Sequence, residues 1–232
     1  YSGGWRDGVF VSYNAMSYGA AGAQANLYDT RVGFYTACQQ GRRNLSLYAD
    51  FGWQRSHMDR QLTNLGLMAS GSYDSRLWEL GGEYKYDLHG AGEKIWQVSP
   101  YVNAQLSYLE QDGYEESGAG VYSHRVGAAS NTYAALGAGV EFSRRFAEGS
   151  FAIRAGYRRT LTGADPELRF QYAGDSTMTY TMQDGQDKDH WLLGLRGEAP
   201  VAAEWKLSGE LSLEKGTHDQ AIIASAALRY SW

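Results

Sequence analysis

The 232-residue sequence predicts an all-β protein, a transmembrane antiparallel up-and-down β-barrel, on three observations. Apolar and polar residues alternate with a period of two along most of the chain, the signature of strands with unlike faces. The polar face carries charge in almost every strand, which a wet interior tolerates and a dry core does not. Aromatic residues gather near strand ends, and the chain ends Leu228, Arg229, Tyr230, Ser231, Trp232. Aromatic rings sit well where hydrocarbon meets headgroup.

The alternation yields roughly ten strands. In the first two, Val9, Val11 and Tyr13 oppose Ser12 and Asn14, and Val32, Phe34 and Thr36 oppose Arg31 and Tyr35. Next come Leu45, Leu47, Ala49, Phe51 and Trp53 against Ser46, Asp50 and Gln54. Trp78, Leu80, Gly82 and Tyr84 oppose Glu79, Glu83 and Lys85; Val98 to Tyr108 opposes Ser99, Asn103, Gln105 and Ser107. Leu136, Ala138, Val140 and Phe142 face away from Glu141, and Phe151, Ile153, Ala155 and Tyr157 from Arg154 and Arg158. The last three are Trp191–Ala199, with Arg196 and Glu198 on the polar face, then Trp205–Leu213, with Glu210, and finally Gln220–Trp232. The whole chain, 1–232, reads as one domain.

Connections differ in length. Short ones are expected at Gln40–Arg43, His89–Gly92, Ala147–Gly149 and Val201–Ala203, and long polar ones at Ser56–Asp74, Glu110–Asn131 and Thr162–Asp189. Ser17–Tyr28 is intermediate, and Gly216–Asp219 is short and breaks the trend. Short turns on one side and long loops on the other is the outer-membrane barrel arrangement. Both termini are then expected in the periplasm. Trp53, Trp78, Tyr108 and Trp191 toward the long loops, and Trp96 and Trp205 by the short turns, are the expected aromatic belt. Glu79, Glu141, Arg154, Arg158, Arg196 and Glu210 are the expected lumen lining, with mutual neutralisation favoured over ion selection as their role.

Composition agrees. The chain has 29 Gly, 18 Tyr and 7 Trp against 3 Pro, and a net charge of -5. No segment approaches the ~20 apolar residues of a helical span, and a mean hydropathy of -0.49 is compatible with strands that show lipid only every second residue. There is no basic patch for nucleic acid. Cys38 is the single cysteine, so no intrachain disulfide or cysteine-built metal site exists. The chain starts at Tyr1 without a leader, so an export signal is expected upstream.

Three stretches resemble the C-terminal translocator (β) domain of bacterial autotransporters, the type V secretion barrel. Ser99–Gly120 (SPYVNAQLSYLEQDGYEESGAG) is similar to the family's Pro-x-x-x-x-Gln-Leu-x-Tyr strand and acidic loop. Trp78–Tyr86 (WELGGEYKY) is similar to the strand before it, and the terminal LRYSW to the family's last strand. The resemblance runs from about Gly8 to Trp232. It implies an outer-membrane barrel that anchors and helps move an N-terminally linked passenger to the surface. It also implies that the barrel-assembly machinery recognises Leu228, Tyr230 and Trp232. Twelve strands are the family norm against the roughly ten read here, so either an upstream pair, with the pore helix and the passenger, is expected outside this sequence, or the chain is a ten-stranded relative.

Other chemistry is less favoured. The five histidines show no zinc-ligand spacing, so no metal or cofactor is expected. Asp187, Asp189 and His190, where a long loop meets its strand, resemble the rim pairs of omptin-type proteases. They keep open a passenger-free barrel acting as a hydrolase, small channel or adhesin. Ser123–His124 lacks a nucleophile-elbow context. Glu110–Glu116 lacks the pattern of a calcium loop. The chain is therefore not expected to be an enzyme.

Overall fold

The computed structural model describes residues 4–20, 22–88, 96–183, 185–202 and 204–230. Ten antiparallel strands build one curled sheet, and four shorter strands build a second. In chain order they are β1 (Trp5–Ala20), β2 (Ala23–Gln40), β3 (Arg43–Leu62), β4 (Leu67–Tyr86), β5 (Gln97–Gln111), β6 (Tyr114–Glu115), β7 (His124–Val126), β8 (Ala129–Phe146), β9 (Gly149–Thr162), β10 (Glu167–Tyr172), β11 (Asp175–Gln183), β12 (Asp189–Ala202), β13 (Trp205–Lys215) and β14 (Gln220–Tyr230). The large sheet runs β1-β2-β3-β4-β5-β8-β9-β12-β13-β14, so each strand pairs with the next long strand in sequence. The small sheet runs β11-β10-β7-β6 and is made from the two longest connections.

The parity read from sequence holds strand by strand. Val9, Val11, Phe34, Leu47, Leu80, Val102, Leu106, Leu136, Leu193, Leu195, Leu207 and Leu211 are all exposed on the convex face. So wide an exposed apolar face on a soluble monomer would be an aggregation surface; in lipid it is the expected solvent contact. The concave face carries the charged and small residues, and there the partners reach across intervening strands.

Two expectations are corrected. Ser56–Asp74 is not a long loop: β3 and β4 stay paired from Arg43↔Tyr86 to Leu62↔Leu67, and only a 3-10 turn at Thr63–Leu65 caps them. Polar residues on both faces do not end a strand when both faces are wet and the backbone pairs stay satisfied. Ser17–Tyr28 likewise is a continuous hairpin, with Ala20 opposite Ala23. The strands are accordingly long, 20 residues in both β3 and β4. The expected turn at His89–Gly92 lies outside the described residues.

The concave surface is packed by tyrosines lying over bare backbone. Tyr101 is 3% exposed. Its ring occupies the space where side chains on Gly139 and Gly156 would stand, and Tyr48 does the same over Gly81 and Tyr35 over Gly8. Glycine inside these strands thus serves close approach of a ring rather than a turn.

The lumen and its mouth as candidate functional site

Among the described residues, three groups of charges on the concave face contain expected lumen residues. In the first, Asp29, Arg31, Asp50 and Glu79 meet on β2, β3 and β4. Arg31 Nε donates to Asp29 Oδ2 at 2.6 Å, and its Nη1 lies 3.7 Å from Asp50 and 3.8 Å from Glu79. The Tyr48 hydroxyl donates to Glu79 Oε1 at 2.9 Å. In the second, Arg154 on β9 bonds Glu83 on β4, and Lys85 Nζ on β4 donates to Glu141 Oε1 on β8 at 2.8 Å. The Arg154 guanidinium also lies 3.6 Å from the centroid of the Tyr101 ring. In the third, Arg158 on β9 bonds Glu214 on β13.

The pairs of the second and third groups skip strands: Arg154–Glu83 crosses β5 and β8, Lys85–Glu141 crosses β5, and Arg158–Glu214 crosses β12. Arg158 and Arg154 lie in register with Gly137 and Glu141 on β8, and Arg154 faces Gly194 on β12. Four of the expected lumen residues, Glu79, Glu141, Arg154 and Arg158, are therefore paired on the concave face. Arg196 and Glu210 lie opposite each other in register, on the face of Gly194; both are exposed and no ion pair joins them. Sequence reading missed Asp29, Asp50, Glu83 and Glu214 as lining residues, although strand parity already placed Asp50 and Glu83 on the polar face.

The expected belt residues Trp53, Trp78, Trp96, Tyr108, Trp191 and Trp205 are between 40% and 69% exposed. Toward the long loops they fall into two clusters of touching rings. Phe51 lies 4.4 Å from Trp53 and 4.9 Å from Trp78, Trp78 lies 5.7 Å from Tyr108, and Tyr157 meets Trp191 edge-on at 5.4 Å between ring centroids. Leu228 is exposed opposite Leu207 on the convex face. Tyr230 pairs in register with Trp205, its side chain lies outside the described set, and Trp232 lies outside the described residues.

The rim histidine does not sit in a ready dyad with its sequence neighbours. Asp187 accepts hydrogen bonds from the backbone N–H groups of His218, at 2.5 Å, and Asp219, at 3.1 Å, and those bonds hold its carboxyl well below the usual range. Asp189 accepts from Tyr157 and Arg159. His190 instead shares a hydrogen bond at 2.8 Å with Asp219 Oδ1 and lies 3.7 Å from Glu214. Asp187 and Asp219 staple the loop between β13 and β14 to the start of β12. Among the described residues no cluster of three or more His, Cys, Asp or Glu is built to hold a metal.

At the long-loop end the small sheet folds inward. Ser70 and Ser117 exchange backbone hydrogen bonds, both at 2.8 Å. Tyr114 stacks on Tyr73 at 4.9 Å and covers Gly71. Gly71 and Tyr73 have the parity of Glu79, so this contact is on the concave side of β4. A cavity of about 200 Å³ remains between the β10–β11 hairpin and the rim, lined by Leu109, Asn131, Pro166, Leu168 and Met182. It is smaller than the ~300–1,000 Å³ of most small-molecule sites.

An apolar convex face, an aromatic rim and a polar concave face with paired charges define an outer-membrane-type β-barrel. The family model for the autotransporter β-domain matches residues 1–212, and the chain belongs to that family, the outer-membrane translocators of passenger proteins. Among solved structures, the translocator domain of the autotransporter NalP from Neisseria meningitidis superposes with a TM-score of 0.78 at 15% identity, over 100% of this chain and 75% of that one. Among curated proteins, Esterase EstA of Pseudomonas aeruginosa and Esterase EstA of Pseudomonas putida are each 26% identical over 68% of this chain. The matched region spans 25% of the length of either esterase.

Proposed function

We propose that this chain is the membrane-embedded part of a longer secreted precursor, and that its lumen carries the linker of an upstream passenger. The observation that supports this best is the pairing of lumenal charges across skipped strands. Arg154–Glu83, Lys85–Glu141 and Arg158–Glu214 neutralise one another along their part of the wall, and with Arg31 among Asp29, Asp50 and Glu79 the wall mixes both signs rather than projecting a single-sign ring, which suits passage of mixed polypeptide better than selection of one ion. The barrel itself does no chemistry in this reading, and any enzymatic activity belongs to the passenger. Outer-membrane lipid covers the convex face, and both chain termini lie on the periplasmic side.

In the same reading the assembly machinery takes hold of the terminal strand through Leu228, Tyr230 and Trp232. A final strand must be paired before its free edge enters lipid. The test is the full precursor expressed in a Gram-negative cell. Replacing Trp232 by Asp is expected to lower both the heat-modifiable barrel and the passenger on the cell surface. Surface passenger at wild-type levels with the barrel deleted would overturn the translocator reading. Wild-type barrel yield from Trp232→Asp would overturn the role given to the terminal residue.

A further inference from the structure

The small sheet is attached to the barrel by an unusually dry polar contact. Glu116 follows β6 and its side chain is 1% exposed. Arg60, on the concave face of β3, donates to it twice, from Nε to Oε1 at 3.2 Å and from Nη2 to Oε2 at 2.5 Å. The backbone N–H of His124 donates to Oε2 at 2.8 Å. Arg60 Nη2 also donates to the carbonyl oxygen of Tyr122, at 3.1 Å. The Arg60–Glu116 pair thus ties together the projecting β3–β4 hairpin, the turn at Gly120–Tyr122 and β7.

His124 links the same point to the rest of the sheet. Its ring lies 4.3 Å from Phe170 and 4.9 Å from Tyr172 on β10, with Tyr180 of β11 stacked behind Phe170. Nδ1 lies 3.8 Å from Glu116 Oε2, and Nε2 is buried with no hydrogen-bond partner. The titratable and charged groups around the ring are Glu116 and Tyr114 beside β6, Arg60 from β3, Tyr122 from the turn and Tyr172 from β10. Glu115 and Arg125 are occupied with each other at 2.6 Å.

We propose that the β6-β7-β10-β11 sheet is a lid over the long-loop mouth of the barrel, latched by Arg60–Glu116 and released when His124 gains a proton. A neutral ring fits the aromatic slot. An imidazolium there puts a second cation beside Arg60 for one carboxylate, and turns Nε2 into a donor with nothing to accept from it. Burial already pushes the imidazole pKa down, with Glu116 opposing. A histidine depressed in the closed form adds stability to that form above its ordinary pKa of about 6.5, and that stability is lost as the pH falls through the depressed value. The lid is therefore closed at neutral pH and loosened in mild acid.

The experiment uses the full-length precursor in lipid, with Cys38→Ser and spin labels at Leu65→Cys on the hairpin tip and Val121→Cys on the lid. Both label sites are solvent-exposed, at 50% and 61%. Distances between labels are measured at pH about 7.5 and about 5.5, one unit either side of the ordinary imidazole value. The wild-type latch is expected to give a narrow distribution at the higher pH and one at least about twice as wide at the lower, a local opening of the kind that low-stability elements undergo. His124→Phe keeps the aromatic packing without a titrating group and stays narrow at both; Glu116→Gln is broad at both. A wild-type distribution that does not change with pH, or an equal broadening in His124→Phe, overturns the proposal. Heat-modifiable migration of each variant establishes that the barrel itself is folded.

Discussion

Arg154 and Tyr101 stand face to face in the lumen, guanidinium over ring at 3.6 Å, while the same ring covers the backbone of Gly139 and Gly156. One aromatic side chain therefore does two jobs. It fills the gap left by two glycines on β8 and β9, and it orients the arginine that reaches across to Glu83 on β4. Cation–π contact of this kind contributes ~0.5–2 kcal/mol, more as water is excluded. Removing the ring is expected to cost more than that alone. Tyr101→Ala should lower barrel stability by about 3 kcal/mol, while Tyr101→Phe, which keeps the ring, should stay within about 1.5 kcal/mol. Urea unfolding followed by heat-modifiable gel shift measures both.

The converse change overfills the same space. Gly156→Val places a branched side chain where the Tyr101 ring and the carbonyl oxygen of Ala138 already sit. A cost of about 1–3 kcal/mol is expected, with the larger value if Tyr101 cannot rotate away. Tyr101→Ala in the same chain should recover part of it, a coupling that a double-mutant cycle measures.

Leu80 separates lipid from water as the solvent of the convex face. It is 54% exposed and lies in register with Leu106. On a surface in water Leu80→Arg is close to neutral; facing hydrocarbon it should cost about 2–4 kcal/mol if near the midplane. Ser208→Arg, on the opposite face of the sheet beside Glu198, should cost much less. Refolding yields into vesicles for the two variants provide the comparison.

Asp187 predicts a local effect. Its carboxylate holds the N–H groups of His218 and Asp219, and its pKa is depressed mainly by the first of those bonds. The staple is fully formed above the ordinary aspartate pKa of about 3.9 and weakens as the pH falls toward the lowered value. Asp187→Asn should speed hydrogen exchange at His218 and Asp219 at neutral pH and leave the exchange of β4 amides unchanged.

Much of the fold was legible because a barrel wall is written in parity. Ten runs of alternating residues became ten strands, and Leu80, Val102 and Leu193 took the face that their spacing assigned. Strand ends were not legible where polarity stopped being informative. Between Ser56 and Asp74 both faces are wet, so residues such as His57, Asp59 and Ser70 looked like loop and proved to be ladder. The lumen was half legible. Parity places Glu79 and Arg154 inside, but only the curvature of the sheet decides that Arg154 meets Glu83 and Arg158 meets Glu214, several strands away. The Arg60–Glu116–His124 contact had no signal in sequence, because its members lie 56 and 8 positions apart and belong to no repeating pattern.

The height of the β3–β4 hairpin has one more effect. Twenty residues in a strand amount to about 68 Å of contour at ~3.4 Å each, roughly twice what a tilted crossing of the bilayer requires. The surplus stands above the aromatic rim as a stiff, fully paired ribbon. On the proposed function, a segment leaving the lumen would pass beside this palisade before it met open water.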